Sequence, residues 1–73
     1  MAKHLSKVAY ARLASGLTLD DAANITGMSI DEYERVERHP FMFSVGELRA
    51  LCTELNEDGR VIMRTWIEYF FGL

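Results

Sequence analysis

The residues that decide the fold run from Gly16 to Arg38 and read GLTLDDAANITGMSIDEYERVER. Thr18 and Ser29 are each followed three residues later by an acidic residue, which is the capping-box pattern that marks the start of a helix. Gly27 lies between these two starts, where the first helix must end in a conformation with positive φ that suits glycine. The stretch therefore predicts two short helices joined by a tight turn.

Two small residues, Ala22 and Ala23, allow the second of these helices to cross the first closely, which is the outline of a helix-turn-helix motif. In this motif the second helix is presented to the groove of a partner. The chain resembles the lambda-repressor-like, Xre-type helix-turn-helix family at Gly16-Leu17-Thr18, Ala22, Gly27, Ser29, Val36-Glu37-Arg38, Ser44, Leu48, Leu51 and Leu55. The resemblance covers roughly residues 5 to 56 and implies a DNA-binding transcriptional regulator.

The rest of the pattern predicts an all-α protein of five helices, with residues 18–38 as the helix-turn-helix itself. Gly16 is expected to end the first helix, and Pro40 to block continuation of the third. A capping box at Ser44 opens the fourth helix, and Asn56 caps the fifth. The predicted helices span about Leu5–Ser15, Thr18–Thr26, Ser29–Arg38, Ser44–Leu55 and Glu57–Phe71.

Apolar residues recur on one face of each predicted helix and indicate the core. We expect Ile25, Tyr33, Val36, Leu48 and Leu51 to form its centre. The other residues expected to face inward are Leu5, Val8, Ala9, Leu13, Leu17, Leu19, Ala22, Val45, Cys52 and Leu55.

The composition limits the classes of protein to which the chain can belong. Residues 1–73 suit one domain, and the net charge of −3 with a pI near 5.2 argues against a strongly basic nucleic-acid binder. Basic side chains can still be gathered on one face. Cys52 is the single cysteine, so no intramolecular disulfide is possible, and we expect a buried structural thiol in a reducing cytoplasm. Neither a signal peptide nor a membrane-length apolar run is predicted.

The family resemblance implies that bases are read by side chains at the start of the third helix and about one turn later. These positions are Ile30, Asp31 and Arg35, with Ser29 placed to touch a phosphate. Arg35 suits bidentate recognition of a guanine edge, and Asp31 is able to accept a hydrogen bond from a cytosine amino group. Leu19 stands where the family usually has a glutamine, which removes one phosphate contact.

Acidic and apolar residues on and beside the third helix favour a different use. Asp31, Glu32 and Glu34 would repel phosphate, although carboxylates on a solvated first turn also support the helix dipole. The loop that follows is bulky and apolar. One of its two phenylalanines is expected to fold inward, and the remainder to suit a protein partner. This partner loop is Phe41, Met42 and Phe43. The basic residues available to phosphate are Lys3, His4, Lys7, Arg35, Arg38 and His39.

Two further charged residues have a structural interpretation. Arg12 and Glu37 match family positions that form an ion pair between the first and third helices, so the resemblance implies the same pair here. We therefore expect their side chains to hold the third helix in place rather than to contact DNA.

The predicted fifth helix, residues 57–71, carries apolar residues around more than one face. A helix on a single core needs a stripe of only about 100°. The excess predicts a homodimer through this helix, although the same residues would also serve to close a small core. The expected dimer interface is Ile62, Trp66, Tyr69 and Phe70.

The sequence lacks the patterns of an enzyme or a metal site, and we expect neither activity nor cofactor. His4 and His39 lie apart from Cys52, and no Cys-x-x-Cys, His-Glu-x-x-His or glycine-rich phosphate loop occurs. Two functions remain open. The first, favoured by the family resemblance, is a dimeric phage-repressor-type regulator that inserts its third helix into the major groove of DNA. The second is a protein-binding antirepressor that blocks another regulator with its acidic third helix and aromatic loop.

Overall fold

The computed structural model describes residues 5–72, without the side chains of residues 70 and 71. Over this range the chain forms five α-helices, one short 3-10 turn and no strand, which confirms the predicted all-α class. The helices are α1 (Lys7–Ala14), α2 (Leu19–Thr26), α3 (Ile30–Arg38), α4 (Val45–Glu54) and α5 (Glu57–Phe71), and the 3-10 turn is Pro40–Met42. In the part of the chain described, every helix is too short or too polar to span a membrane.

Each helix begins at a side chain that accepts a hydrogen bond from a backbone N–H of the first turn. The capping boxes at Thr18 and Ser44 are complete, with both reciprocal bonds formed. At Ser29, among the described residues, only the bond from the Glu32 N–H to the Ser29 hydroxyl is formed, at 3.2 Å, so the predicted box is half present. The five caps are Ser6, Thr18, Ser29, Ser44 and Asn56.

The turn between α2 and α3 depends on a glycine, as predicted. Gly27 has a φ of +76°, a conformation that costs other residues energy. The next N–H, that of Met28, donates back to the Ala23 carbonyl at 2.9 Å, which closes the end of α2. Ser29 then caps α3 at once, so three residues separate the two helices and fix their crossing.

The core lies where the inner faces of all five helices meet. Tyr33, Val36 and Leu51 are buried at its centre as predicted, whereas Ile25 and Leu48 are half-buried and pack against it. The buried cluster consists of Val8, Ala11, Ala22, Ala23, Tyr33, Val36, Phe43, Leu51, Leu55, Met63 and Trp66.

Three residues predicted to face inward are exposed, so those predictions are wrong. Leu5 precedes α1, which begins only at Lys7. Leu13 points outward because its neighbour Arg12 takes the inward position on that turn. Val45, 77% exposed, opens α4, and the residues of this first turn lie outside the core.

The last helix is fixed against the first at a close crossing. Gly59 is buried there, because a Cβ at this position would lie 2.7 Å from the Ala11 carbonyl oxygen and against the Ser15 hydroxyl. Asn56 joins the two helices as well. Its side-chain amide donates to the Ala14 carbonyl at 2.9 Å, and its backbone N–H donates to the Ser15 hydroxyl at 3.0 Å. α1 therefore positions α5 at one side and, through Arg12, α3 at another.

Candidate nucleic-acid interface

The outer face of α3 gathers the residues that the sequence predicts as contacts. The inner face of this helix is anchored by Tyr33, Val36 and Glu37, which are buried. The opposite face is open to solvent over the whole length of the helix. All seven predicted DNA or partner contacts are exposed or half-exposed: Ser29, Ile30, Asp31, Glu34, Arg35, Arg38 and His39.

A buried ion pair holds this helix against α1, which confirms the pairing predicted for Arg12 and Glu37. Arg12 Nε lies 2.8 Å from Glu37 Oε2, and Arg12 Nη2 donates to Oε1 at 3.3 Å. The Tyr33 hydroxyl donates to the same Oε2 at 2.7 Å, and Arg12 Nη1 donates to the Leu17 carbonyl at 2.9 Å. The network satisfies both buried charges and also ties the loop before α2 to α1.

Burial and the adjacent carboxylate act together on the Tyr33 hydroxyl. Loss of hydration disfavours the phenolate and is the main reason that the pKa of Tyr33 is raised well above its ordinary value. The hydrogen bond to Glu37 and the negative charge of that carboxylate raise this pKa further, whereas Arg12 opposes them. Tyr33 therefore stays neutral and serves as a hydrogen-bond donor that orients Glu37.

Carboxylates outnumber arginines on the surface formed by α2 and α3. The arginines on this surface are Arg35 and Arg38. The carboxylates are five in number, all exposed or half-exposed: Asp20, Asp21, Asp31, Glu32 and Glu34. Two of the five are already engaged. Glu34 pairs with Arg38 at 3.7 Å. Asp21 accepts the Thr18 backbone N–H at 3.0 Å, and this bond, supported by the Thr18 side chain, lowers the pKa of Asp21.

Arg35 differs from the other arginines near α2 and α3. Arg12 is held in the core, and Arg38 lies beside Glu34. Within residues 5–72, Arg35 takes part in no ion pair, and its side chain is exposed on α3 one turn after Asp31. Its guanidinium is therefore able to donate two parallel hydrogen bonds to an incoming acceptor.

Few side chains around α3 are suited to bind a phosphate group. Leu19, at the start of α2, is half-buried and packs against the core. Lys7 is exposed, with its ammonium 5.7 Å from the centre of the Tyr10 ring. Two predicted phosphate contacts, Lys3 and His4, lie outside the described residues.

The partner loop divides as predicted into one inward and one outward phenylalanine. Phe43 is buried, with its ring centre 5.8 Å from that of Tyr33, so it belongs to the core and not to a partner surface. Phe41 is 69% exposed, and Met42 beside it is also exposed. The surface part of the loop therefore consists of Phe41 and Met42 alone.

In the C-terminal helix α5, one residue predicted to lie in a dimer interface belongs to the core instead. Trp66 is only 6% exposed and belongs to the core cluster of the single chain, so the interpretation of Trp66 as surplus to the core is wrong. Ile62 is half-buried, and Tyr69 is 85% exposed. The Phe70 side chain lies outside the description. Val61 and Thr65, also exposed, precede Tyr69 at intervals of four residues and so lie on the same face of this helix.

The cysteine is half-buried rather than fully buried. Cys52 packs against the core from α4, and burial raises the pKa of its thiol despite the opposing charge of Arg60. A thiol with a raised pKa is a weak nucleophile, which fits the predicted structural role.

Comparisons of the chain with protein-family models, with curated proteins and with solved structures found no match. The family resemblance of residues 5–56 therefore remains an expectation from the sequence, and the geometry of α2 and α3 is the basis for a functional proposal.

Proposed function

We propose that this protein is a phage-repressor-type transcriptional regulator that binds DNA by inserting α3 into the major groove. The observation that carries the proposal is Arg35, an exposed arginine without an ion pair among the described residues. It lies on the outer face of α3, which follows α2 after three residues. An arginine in this position is suited to bind O6 and N7 of guanine with two hydrogen bonds.

The start of α3 offers a second kind of contact. Ser29 is exposed at the N-terminus of the helix, and its hydroxyl oxygen already accepts the Glu32 N–H. Its O–H is left to donate to a phosphate oxygen, and the positive end of the helix dipole favours the same anion. Ser29 therefore positions the helix, whereas Arg35 reads a base.

The carboxylates fit a regulator whose binding depends on base contacts. Asp31 lies one helical turn before Arg35, where its oxygen is able to accept the amino group of cytosine. Asp20, Asp31 and Glu32 repel phosphate and so weaken binding to DNA of any sequence. The combined effect is low general affinity and a larger ratio between specific and non-specific binding.

The proposal is tested by selecting duplexes from a random pool at low salt and measuring affinity for the enriched sequence. Arg35→Ala should lose about 1–3 kcal/mol of specific binding, because one bidentate base contact disappears. Arg49→Ala is the matched control, because it removes the same charge from an exposed arginine on α4. It should change specific binding little. Absence of any enriched sequence, or equal losses in the two variants, would contradict the proposal.

A second function, a protein-binding antirepressor, is favoured by one observation, the excess of five carboxylates over two arginines on α2 and α3. The double change Asp31→Asn with Glu32→Gln separates the functions. For a DNA-binding protein it should tighten non-specific binding, because repulsion from phosphate is relieved. For a protein that captures a basic partner it should slow association and reduce the dependence of the association rate on salt. Wild-type protein that binds no DNA at low salt would favour the antirepressor.

A further inference from the structure

An apolar groove of about 650 Å³ lies between α5 and the residues that lead into α1. Trp66 and Pro40, both buried, line it together with the half-buried Ile62. Leu5 and Tyr69, which are exposed, form its edges. Binding sites for small molecules usually enclose about 300–1,000 Å³ and are lined mainly by apolar and aromatic side chains. The groove therefore has the size and the lining of a small-molecule site.

The α5 side of the groove suits the hydrocarbon part of a ligand. Val61, Thr65 and Tyr69 follow one another at intervals of four residues, so they lie on one face of the helix. The Thr65 hydroxyl donates to the Val61 carbonyl at 2.9 Å, so its proton is already used within the helix. The polar group in the middle of this face is thus engaged, and the side chains next to it are largely apolar.

The start of α1, on the other side of the groove, is positively charged. Lys7 is the one charged residue in the lining described for the groove, and within residues 5–72 it takes part in no ion pair. The Ser6 hydroxyl oxygen accepts the Ala9 N–H at 3.2 Å, so its O–H is left to donate.

The dipole of α1 favours an anion at the same place. The first turn of this helix, which the structure describes in full, contains no acidic residue, whereas the other four helices each have one or two there. The positive end of the α1 dipole is therefore not balanced by a carboxylate of its own first turn. An anionic group beside Ser6 and Lys7 would supply that balance.

We propose that the groove binds an amphipathic carboxylate of the fatty-acid type. Its alkyl chain lies against Trp66 and the α5 face, and its carboxylate accepts hydrogen bonds from Lys7 and Ser6. Charge complementarity decides the class of ligand, because the groove joins an apolar lining to a single cation. A plain hydrocarbon leaves Lys7 without a partner, and an alkylammonium ion is repelled by it. The inference does not depend on what α3 binds.

The groove contains its own reporter, because Trp66 is the single tryptophan of the chain. Decanoate, kept below the concentration at which it forms micelles, is the probe. Its titration should change the Trp66 fluorescence to saturation. Affinity should rise about two- to fourfold for each CH₂ added from octanoate to dodecanoate, because each group leaves water. At about 0.15 M salt, decyltrimethylammonium should bind about tenfold more weakly than decanoate, since Lys7 repels its head group.

Two exposed valines provide a matched pair of variants. Val61 lines the groove, whereas Val45 lies on α4 outside the lining. Val61→Glu places a carboxylate beside the ligand and should weaken decanoate binding more than about tenfold, and Val45→Glu should leave it unchanged. Lys7→Gln should weaken binding about two- to fivefold and remove most of its dependence on salt. Circular dichroism should show the same helical content in all three variants.

Several outcomes would overturn the inference. One is the absence of both a fluorescence change and a heat of binding when decanoate is added to the wild-type protein. Equal losses in Val61→Glu and Val45→Glu are another, as is binding of decyltrimethylammonium as tight as that of decanoate. A Trp66 fluorescence that shifts with protein concentration without ligand would assign the groove to a second chain and overturn it as well.

Discussion

The charged outer face of α3 and the apolar groove beside α5 differ in the kind of contact that they can make. The outer face of α3 is charged, with Asp31, Glu34, Arg35 and Arg38 along it. The groove between α5 and the residues that lead into α1 is apolar, with Leu5, Trp66 and Tyr69 in its lining, and no carboxylate occurs among its lining residues in the described chain. Charged groups form directional hydrogen bonds that distinguish one partner from another, whereas apolar surface provides association with little directionality. The chain thus carries a charged face on α3 and a separate apolar groove beside α5.

Both surfaces depend on α1, which lies between them. On one side of this helix, Arg12 forms an ion pair with Glu37, which fixes α3. Another side brings Ala11 against Gly59 and so fixes α5. Changes on these two sides should therefore affect stability by different mechanisms and by different amounts.

The largest effect is expected from breaking the ion pair that holds the charged surface. Glu37→Leu leaves the Arg12 guanidinium buried without its carboxylate and should lower the free energy of unfolding by about 3–5 kcal/mol. Arg49→Met, at an exposed position, should change it by less than about 0.5 kcal/mol. Chemical denaturation followed by circular dichroism measures both. Similar small losses in the two variants would mean that the pair does not anchor α3.

A smaller loss is expected when only the tyrosine hydroxyl is removed from this network. Tyr33→Phe deletes the 2.7 Å hydrogen bond to Glu37. Because the acceptor is charged, the loss should be about 1.5–3 kcal/mol near neutral pH. Tyr10→Phe, at an exposed tyrosine, is the control and should have little effect.

The same hydroxyl predicts how stability changes at alkaline pH. The pKa of Tyr33 is raised in the folded protein, so above the ordinary tyrosine value of 10.0 the folded chain keeps a proton that the unfolded chain releases. The contribution of Tyr33 is therefore complete below this pH and declines as pH rises beyond it. The difference in stability between wild type and Tyr33→Phe should shrink in that range. A difference that stays constant up to strongly alkaline pH would contradict the assignment.

Two glycines, Gly59 buried against α1 and Gly46 exposed on α4, give a matched comparison. Gly59→Ala should destabilise the protein by about 1–3 kcal/mol, because the new methyl group meets backbone that cannot easily move. A Cβ at Gly46 would meet only the Ser44 hydroxyl, at 4.0 Å. Gly46→Ala should therefore stabilise the protein by about 0.5–1 kcal/mol through helix propensity. Opposite signs in thermal or chemical unfolding are the expected result, and equal signs would show that α1 and α5 do not cross closely at Gly59.

The sequence predicted the features that arise from local chemistry. Caps at Thr18, Ser44 and Asn56 and the turn at Gly27 depend on residues a few positions apart, so the helix boundaries follow from the pattern. The Arg12–Glu37 pair joins residues 25 positions apart, so it does not follow from local chemistry. It was expected from a family resemblance.

The wrong predictions concern which face of a helix turns inward. Leu13 is more apolar than Arg12, yet the buried carboxylate of Glu37 draws Arg12 into the core and leaves Leu13 exposed. Trp66 was predicted to be surplus to the core, because the sequence does not show that α5 packs along α1 with Trp66 turned into the core. For the same reason the groove, whose edges come from Leu5 at one end of the chain and Tyr69 at the other, could not be predicted.

The proposed function requires that the charged face of α3, and not the apolar groove, contacts DNA. It is tested most directly by titrating isotopically labelled protein with its selected duplex and following backbone amide resonances by NMR. We predict that the largest shifts fall on residues 29–39, around Ser29 and Arg35, while α5 around Thr65 changes little. Largest shifts along α5, or no shifts at low salt, would contradict the claim.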